Sequence, residues 1–156
     1  MDEVTIWIGA RPEAVWELVA DITRYGEWSP ENQGGRWSGD PGHGARFTGA
    51  NRKGIMRWST HCEVIEYDRP RRFAFEVTES RMRWGYRLES QNGGTRVTEW
   101  NAPVGRPPLP IRIVEATGLL GRDRRQVRLD GMRQTLHKIK DAAENGRARP
   151  QEERHE

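Results

Sequence analysis

The sequence predicts an α+β fold in which an antiparallel sheet packs against helices, and three observations support this prediction. A β-branched apolar segment at residues 4–8 leads into an amphipathic helical pattern that begins at Pro12. Between residues 45 and 101, several segments alternate apolar and polar side chains, with glycine-rich turns between them. Apolar residues then recur at helical spacing over about residues 123–145. Strands grouped ahead of a long helix are typical of α+β domains.

The first helical segment is amphipathic and has recognisable ends. Its apolar positions are Ala14, Val15, Leu18, Val19 and Ile22. Glu13 and Glu17 fall on the opposite side of the helix. Pro12 suits the first turn, where its missing N–H costs nothing. Asp21 can cap a second, short helix that ends in the turn formed by residues 28–30.

Segments with a period of two predict the strands of the sheet. They are residues 45–52, 57–64, 72–78, 81–89 and 95–101. In the first four segments the larger apolar side chains share one face and most Arg and Glu side chains share the other, as in an antiparallel sheet with one buried face. The turn signals expected between strands are Gly34-Gly35, Asp40-Pro41-Gly42, Gly54 and Asn92-Gly93-Gly94.

The C-terminal third is predicted to hold a proline-rich break followed by helices. Residues 105–110 form a stiff extended break, and the apolar residues 111–120 predict a short helix. A long amphipathic helix should then run from about Asp123 to Asn145, with Gly146 as its C-terminal cap. The apolar stripe of this helix is Leu129, Met132, Leu136, Ile139 and Ala143.

Length and composition indicate one domain with an aromatic interior. Residues 1–145 are long enough to bury a core, whereas residues 146–156 are polar and predict a disordered tail. Only 34% of the 156 residues are hydrophobic, yet seven are tryptophan. A few large side chains must therefore build the interior, and tryptophan can line a binding site as well as fill a core.

Charge, hydropathy and cysteine content limit the partners and the location that we expect for this protein. The 26 basic and 23 acidic residues give a net charge of +3 with both signs mixed, which does not favour a nucleic-acid partner. No apolar run approaches the roughly 20 residues of a membrane span, so stable membrane insertion is not expected. The single cysteine, Cys62, excludes an internal disulfide. Without a signal peptide the chain is expected to be cytoplasmic, as a monomer or a homodimer.

This order of elements resembles the START-like, or SRPBCC, superfamily, and in particular bacterial proteins of the polyketide cyclase/dehydrase and lipid-transport type. The resemblance is carried by Val15-Trp16 with Asp21 and Trp28 downstream, by residues 93–98, and by residues 131–136 of the last helix. It extends to about residue 145 and implies the helix-grip fold shared with the birch-pollen allergen. In that fold a curved antiparallel sheet of six to seven strands wraps around the C-terminal helix, two short helices follow the first strand, and a cavity lies between sheet and helix.

Strand alternation selects the side chains that would face such a cavity, with Trp28 expected near its mouth. The predicted ligand-contacting residues are Trp28, Phe47, Asn51, Trp58, Thr60, Phe75, Trp84, Tyr86, Val97, Asn101, Met132 and Leu136. Pockets for apolar ligands are lined in this way, with a few polar groups that set orientation. The same residues can also pack directly against one another as a filled core.

Glu99 is the candidate acid or base, with Tyr86 beside it. Alternation places Glu99 on the same face as Thr95 and Val97, and Trp100 on the opposite face. A carboxyl group in an apolar cavity has a raised pKa, which suits proton transfer. In the alternative register, a bulge turns Trp100 inward and Glu99 pairs with a surface arginine.

No other cluster in the sequence predicts a metal site or a cofactor. Cys62 and His61 are adjacent in a strand and so point to opposite faces, which excludes a nucleophile–base pair and makes Cys62 a small buried hydrophobe. Residues 42–44 lack the third glycine of a dinucleotide fingerprint. The basic residues within 122–140 are expected to form a solvated helix face.

Three functional hypotheses follow. The first is binding of a hydrophobic small molecule (a polyketide-like natural product, a lipid or an aromatic metabolite) by a carrier or by a sequestering, self-resistance protein. The second is a cofactor-free polyketide aromatase/cyclase or dehydratase that uses Glu99 as acid or base. The third is an interaction module with a filled core. Residues 105–120 are a candidate lid over the cavity.

Overall fold

The computed structural model describes residues 1–105 and 121–148. The strands are β1 (Asp2–Ile8), β2 (Asn32–Trp37), β3 (Arg46–Lys53), β4 (Met56–Asp68), β5 (Arg72–Val77), β6 (Met82–Gln91) and β7 (Gly94–Pro103). The helices are α1 (Pro12–Val19), a 3-10 helix (Ile22–Glu27) and α2 (Gly121–Ala148). The predicted proline-rich break beyond Gly105, the short helix at 111–120 and the tail from Arg149 onward lie outside the described residues.

The sheet is antiparallel throughout, with the strand order β1-β7-β6-β5-β4-β3-β2. Helix α2 packs against β1, α1 and β7. This arrangement confirms the predicted α+β class and the helix-grip fold, a curved sheet with a long C-terminal helix. None of the described helices combines the length and apolar character that crossing a bilayer needs.

Helix α1 buries a slightly different face from the one predicted. Val15, Leu18 and Val19 are buried as expected, but Ala14 is exposed and Trp16 is buried instead. The Trp16 ring meets the edge of Phe73 at a centroid distance of 6.0 Å, which fixes α1 against the sheet. The Asp21 carboxylate accepts a hydrogen bond of 3.1 Å from the Thr23 N–H, as predicted for the cap of the short helix.

Strand β2 corrects the prediction of a turn at Gly34-Gly35. Both glycines lie within the strand and pair with β3. A Cβ at Gly35 would lie 3.2 Å from the Ile22 carbonyl oxygen. At Gly34 a Cβ would lie 3.0 Å from the Thr23 carbonyl oxygen, so glycine suits both positions where the strand passes close to the 3-10 helix. The pair therefore marks a close approach of two backbones.

Helix α2 is longer than predicted at both ends. It begins at Gly121 and continues through Gly146 to Ala148, so Gly146 is not its cap. Met132, Leu136, Ile139 and Ala143 of the predicted stripe are buried, and Leu129 is half-buried. The first turns of α2 are attached to the sheet by the Asp2 carboxylate, which accepts hydrogen bonds from Arg125 Nε at 3.0 Å and Arg128 Nη2 at 2.6 Å.

Candidate functional site

A cavity of about 550 Å³ lies between the concave face of the sheet and α2. Its walls come from β3 to β7, from the 3-10 helix with the turn that follows, and from the N-terminal half of α2. We call the part lined by buried residues the inner end; its aromatic residues are Tyr25, Trp28, Phe47, Phe75 and Tyr86. The part lined by exposed residues is the outer end, with Pro30, Glu31, Lys53, Trp58, Ser80, Arg124 and Val127.

Three of the aromatic rings at the inner end are in contact with one another through Phe75. The Phe47 and Phe75 rings meet edge to face, with centroids 5.2 Å apart. The Tyr25 ring lies 6.3 Å from that of Phe75, and the Tyr25 hydroxyl donates a 2.6 Å hydrogen bond to the Val19 carbonyl. Because this hydroxyl is held by the backbone, Tyr25 presents its ring to the cavity rather than its polar tip.

Asn51 and Thr60 form a polar pair on the β3–β4 part of the wall. Asn51 Nδ2 donates to Thr60 Oγ1 at 3.2 Å. Gly49 lies beside them, and a Cβ there would be 2.7 Å from Thr60 Oγ1, so glycine leaves room for this pair. Cys62 follows on the same face; burial raises the pKa of its thiol to about 12, so it remains a protonated, weakly polar wall residue.

Glu99 points into the cavity from β7. It pairs with Tyr86 on one side and Val4 on the other, and β7 keeps its register with both neighbouring strands throughout. Its side chain is buried and lines the cavity, whereas Trp100 lies on the outer face against Gly85. The alternative register, with Trp100 inward, is therefore absent from the structure.

Burial raises the pKa of the Glu99 carboxyl to about 8, while a hydrogen bond from the Tyr86 hydroxyl acts in the opposite direction. The carboxyl is thus mostly neutral at pH 7. Oε2 has no hydrogen-bond partner among the residues that the structure describes. Burial also raises the pKa of both Tyr86 and Tyr25, and the nearby charge of Glu99 raises it further. The group can therefore donate a proton near neutral pH and accept one once ionised.

Trp28 supplies a second buried polar atom among the residues that line the cavity. It follows the 3-10 helix, is only 2% exposed, and its Nε1–H finds no acceptor within residues 1–105 and 121–148. The Arg24 guanidinium lies 5.1 Å from the centre of the indole ring. Trp28 is predicted to lie near the mouth, and the structure buries its indole two residues before the exposed Pro30 of the outer end.

The family comparison agrees with this architecture. The sequence profile of the family described as polyketide cyclase/dehydrase and lipid transport matches residues 3–144. The chain belongs to this family. The search of curated proteins yields no significant match.

Solved structures of the same fold extend the comparison. The polyketide-cyclase-like protein Cgl2372 of Corynebacterium glutamicum is 31% identical, with a TM-score of 0.66 over 99% of this chain and 96% of that one. TTHA0849 of Thermus thermophilus is 17% identical, with a TM-score of 0.70 over 92% and 97%. The di-domain ARO/CYC StfQ from the steffimycin biosynthetic pathway is 13% identical, with a TM-score of 0.67 over 96% of this chain and 46% of that one. The latter two show likeness of fold, and family and fold together support a hydrophobic ligand-binding architecture.

Most of the residues selected by alternation line the cavity of this polyketide cyclase/dehydrase family member. Those that do are Trp28, Phe47, Asn51, Trp58, Thr60, Phe75, Trp84, Tyr86, Glu99 and Met132. Val97, Asn101 and Leu136 do not line it; each is at most 1% exposed and packs within the protein. Asn101 Nδ2 donates to the Arg83 carbonyl at 3.3 Å. Alternation predicts which face a side chain occupies but not how closely the opposite layer approaches it.

Other cavity residues were not predicted. The main ones are Tyr25, Asn32, Gly49, Cys62, Val77, Arg124, Val127, Arg128, Gly131 and Thr135. Those on α2 recur at positions 124, 127, 128, 131 and 135, so they form a second helical stripe beside the apolar one. The helical spacing of these residues could have indicated a second face of α2. It was missed because most of them are polar or glycine, whereas the prediction looked for apolar periodicity.

The charged lining residues other than Glu99 are Glu31, Lys53 and Arg124 at the outer end and the half-buried Arg128. Lys53 lies 3.9 Å from Glu31, and Arg128 is held by Asp2. Arg124 is exposed and has no ion-pair partner in the described part of the chain. The described residues also contain no group of three His, Cys, Asp or Glu side chains placed to hold a metal ion.

Proposed function

We propose that this protein binds a hydrophobic small molecule in the cavity between the sheet and α2, and acts as a carrier or sequestering protein. The observation that carries the proposal is the cavity itself. Its volume of about 550 Å³ falls within the range of small-molecule sites, and its inner wall is largely aromatic. Burial of apolar ligand surface would stabilise the complex by about 25 cal/mol per Å² before the costs of association.

The size of the cavity argues against an interaction module with a filled core, because closely packed interiors leave few voids larger than a water molecule. Among the candidate ligands, polyketide-like and aromatic molecules suit the wall, since Phe47, Phe75 and Trp84 offer ring edges and faces to a planar ligand. A protein that sequesters such a compound could confer self-resistance on a producing cell.

A second function, a cofactor-free aromatase/cyclase or dehydratase, is favoured by one observation: the Glu99 carboxyl is buried, faces the cavity and keeps Oε2 unpaired among described atoms. In a dehydration, the Glu99 proton would pass to a departing hydroxyl of a β-hydroxy ketone as the C–O bond breaks and water leaves. The resulting carboxylate would take the α-hydrogen, which restores the acid. Tyr86 would hold the carboxyl in position.

We expect a monomer or homodimer in the cytoplasm. The charges of α2 argue against a nucleic-acid partner. Basic side chains of α2 are engaged with carboxylates, as in the pairs of Arg125 and Arg128 with Asp2 and of Arg133 with Asp130. They are thereby partly neutralised, and phosphate binding depends on available positive charge.

Native mass spectrometry of protein purified gently from its own host tests the proposed function. A co-purified apolar adduct supports binding, and its mass distinguishes a lipid from a polyketide. An added β-hydroxy ketone recovered 18 Da lighter, with wild type but not with Glu99→Gln, would favour the enzyme. A bare chain mass after incubation with a panel of apolar ligands would contradict both functions.

A further inference from the structure

We propose that the inner end of the cavity selects ligands that carry a neutral hydroxyl or carbonyl oxygen, such as phenols, enols and ketones, and discriminates against carboxylates. This inference rests on the proposed binding function and specifies the ligand class of the same site. It is carried by two buried side chains, Trp28 and Glu99, that both line the cavity and each keep a polar atom unpaired among the described residues.

Both atoms require a partner that the described part of the chain does not supply. Trp28 is 2% exposed and Glu99 is 5% exposed, and neither Trp28 Nε1 nor Glu99 Oε2 forms a hydrogen bond to a described residue. A buried polar group left unpaired costs on the order of 1–3 kcal/mol. Other polar wall groups are already engaged, such as Asn51 with Thr60. A ligand oxygen at the inner end would therefore gain hydrogen bonds that the wall itself lacks.

The chemistry of the two groups defines the ligand oxygen. The indole N–H of Trp28 can only donate, so it needs an acceptor. The protonated carboxyl of Glu99 can donate through O–H and accept through its other oxygen. A carbonyl oxygen can accept from either group, and a hydroxyl group can in addition donate to Glu99. A purely apolar ligand would leave both groups unpaired.

A carboxylate is disfavoured at the inner end because nothing there compensates its charge. Of the cationic side chains that line the cavity, Lys53 and Arg124 are at its outer end, and Arg128 is half-buried and already paired with Asp2. Burying an anion without a cation costs far more than burying a neutral oxygen. A second acid beside Glu99 would also oppose ionisation of either group. An amphiphilic acid would thus have to keep its carboxylate at the outer end.

Three probes of nearly equal size test this selection at pH 6: 2-naphthol, 2-methylnaphthalene and 2-naphthoate, with dissociation constants from isothermal titration calorimetry. We expect 2-naphthol to bind about tenfold more tightly than either of the others, since one or two hydrogen bonds distinguish it. Trp28→Phe and Glu99→Leu should each reduce the preference for 2-naphthol over 2-methylnaphthalene to below about threefold. Trp7→Phe and Glu76→Gln, on the outer face, are matched controls that should keep it.

The possible results separate the two proposals. Equal affinity for all three probes, or tightest binding of 2-naphthoate, overturns the selection and leaves the binding function standing. Failure of every probe to bind overturns both. If Glu99→Leu does not fold, Glu99→Gln replaces it: its neutral amide should keep the preference at pH 6. A pH series then uses the ketone 2-acetylnaphthalene, which can only accept a hydrogen bond and does not itself ionise. Its affinity for wild type should fall between pH 6 and pH 9 as Glu99 loses its proton, while its affinity for Glu99→Gln stays constant; equally flat profiles would overturn the role of Glu99.

Discussion

The indole of Trp100 covers Gly85 on the outer face of the sheet so closely that a Cβ at position 85 would lie 2.5 Å from its Cζ2 atom. The two residues face each other across β6 and β7. Gly85 leaves space for the Trp100 indole on the outer face. Because adjacent strand residues point to opposite faces, this placement of Trp100 directs Glu99 toward the cavity. An outer-face contact thereby fixes the orientation of an inner-face carboxyl.

Gly85→Ala should destabilise the protein by about 2 kcal/mol or more, because the added methyl group collides with a large ring in a paired region of the sheet. Chemical denaturation of single and double variants would measure this. In a Trp100→Ala background the same change should cost much less, since the colliding ring is gone. Equal costs in the two backgrounds would contradict the contact.

Glu99→Gln should change how stability depends on pH. The native pKa of about 8 lies above the value of about 4.3 of an unfolded chain, so the folded state binds the proton more tightly. The resulting stabilisation is full below about pH 4 and is lost as the pH rises to about 8. The free energy of unfolding of Glu99→Gln, relative to wild type, should therefore rise by about 2–4 kcal/mol between pH 5 and pH 8.5.

Glu76→Gln is the matched control for this pH experiment. Glu76 lies on the outer face, where it pairs with Arg83 at 3.3 Å and is partly exposed. The difference between this variant and wild type should stay nearly constant over the same pH range. A constant difference for Glu99→Gln as well would mean that the Glu99 carboxyl titrates normally and is not buried as described.

Asp2→Asn should destabilise the attachment of α2 to β1 by about 1 kcal/mol, because the Asp2 carboxylate joins Arg125 and Arg128. Partial burial opposes ionisation of Asp2, but hydrogen bonds from the two arginines outweigh it and lower its pKa. Its contribution is thus present above about pH 4 and is lost as the pH falls below that. Thermal unfolding at pH 7 and pH 3 would measure both values; an equal effect at the two would contradict the ion pair.

Gly131→Ala should stabilise the protein by about 0.5–1 kcal/mol. Gly131 lies inside α2, where glycine is a poor helix former, and a Cβ there would lie 3.7 Å from Pro30 Cγ, an ordinary contact. Gly146→Ala, near the end of the same helix, is the control and should gain less because helix ends fray. Destabilisation by Gly131→Ala in equilibrium unfolding would indicate that α2 approaches the turn at Pro30 more closely.

The sequence was sufficient to predict the fold and the faces of the strands, because alternation is a local property. It predicted the inward direction of Phe47 and Phe75, whereas the direction of Glu99 stayed open between two registers. What decided that register is the contact of Trp100 with Gly85, two residues 15 positions apart. Such a contact becomes visible only once β6 and β7 are paired.

The depth at which a side chain is buried, and the close approach of two elements, could not be predicted from the sequence in the same way. Val97 and Leu136 share faces with cavity residues, but the opposing layers close over them and leave no space. Gly34 and Gly35 have the composition of a turn, yet they pair with β3 in a strand that passes close to the 3-10 helix. In both cases tertiary packing, rather than local preference, sets the outcome.

The most direct test of ligand binding in the cavity is a two-dimensional ¹H–¹⁵N NMR titration of the indole N–H groups of the seven tryptophans with 2-naphthol. Single Trp→Phe variants would assign the signals. The account predicts shifts for Trp28, Trp58 and Trp84, which line the cavity, and none for Trp7 and Trp100 on the outer face. Shifts confined to Trp7 and Trp100, or no shift at any tryptophan at millimolar ligand, would contradict it.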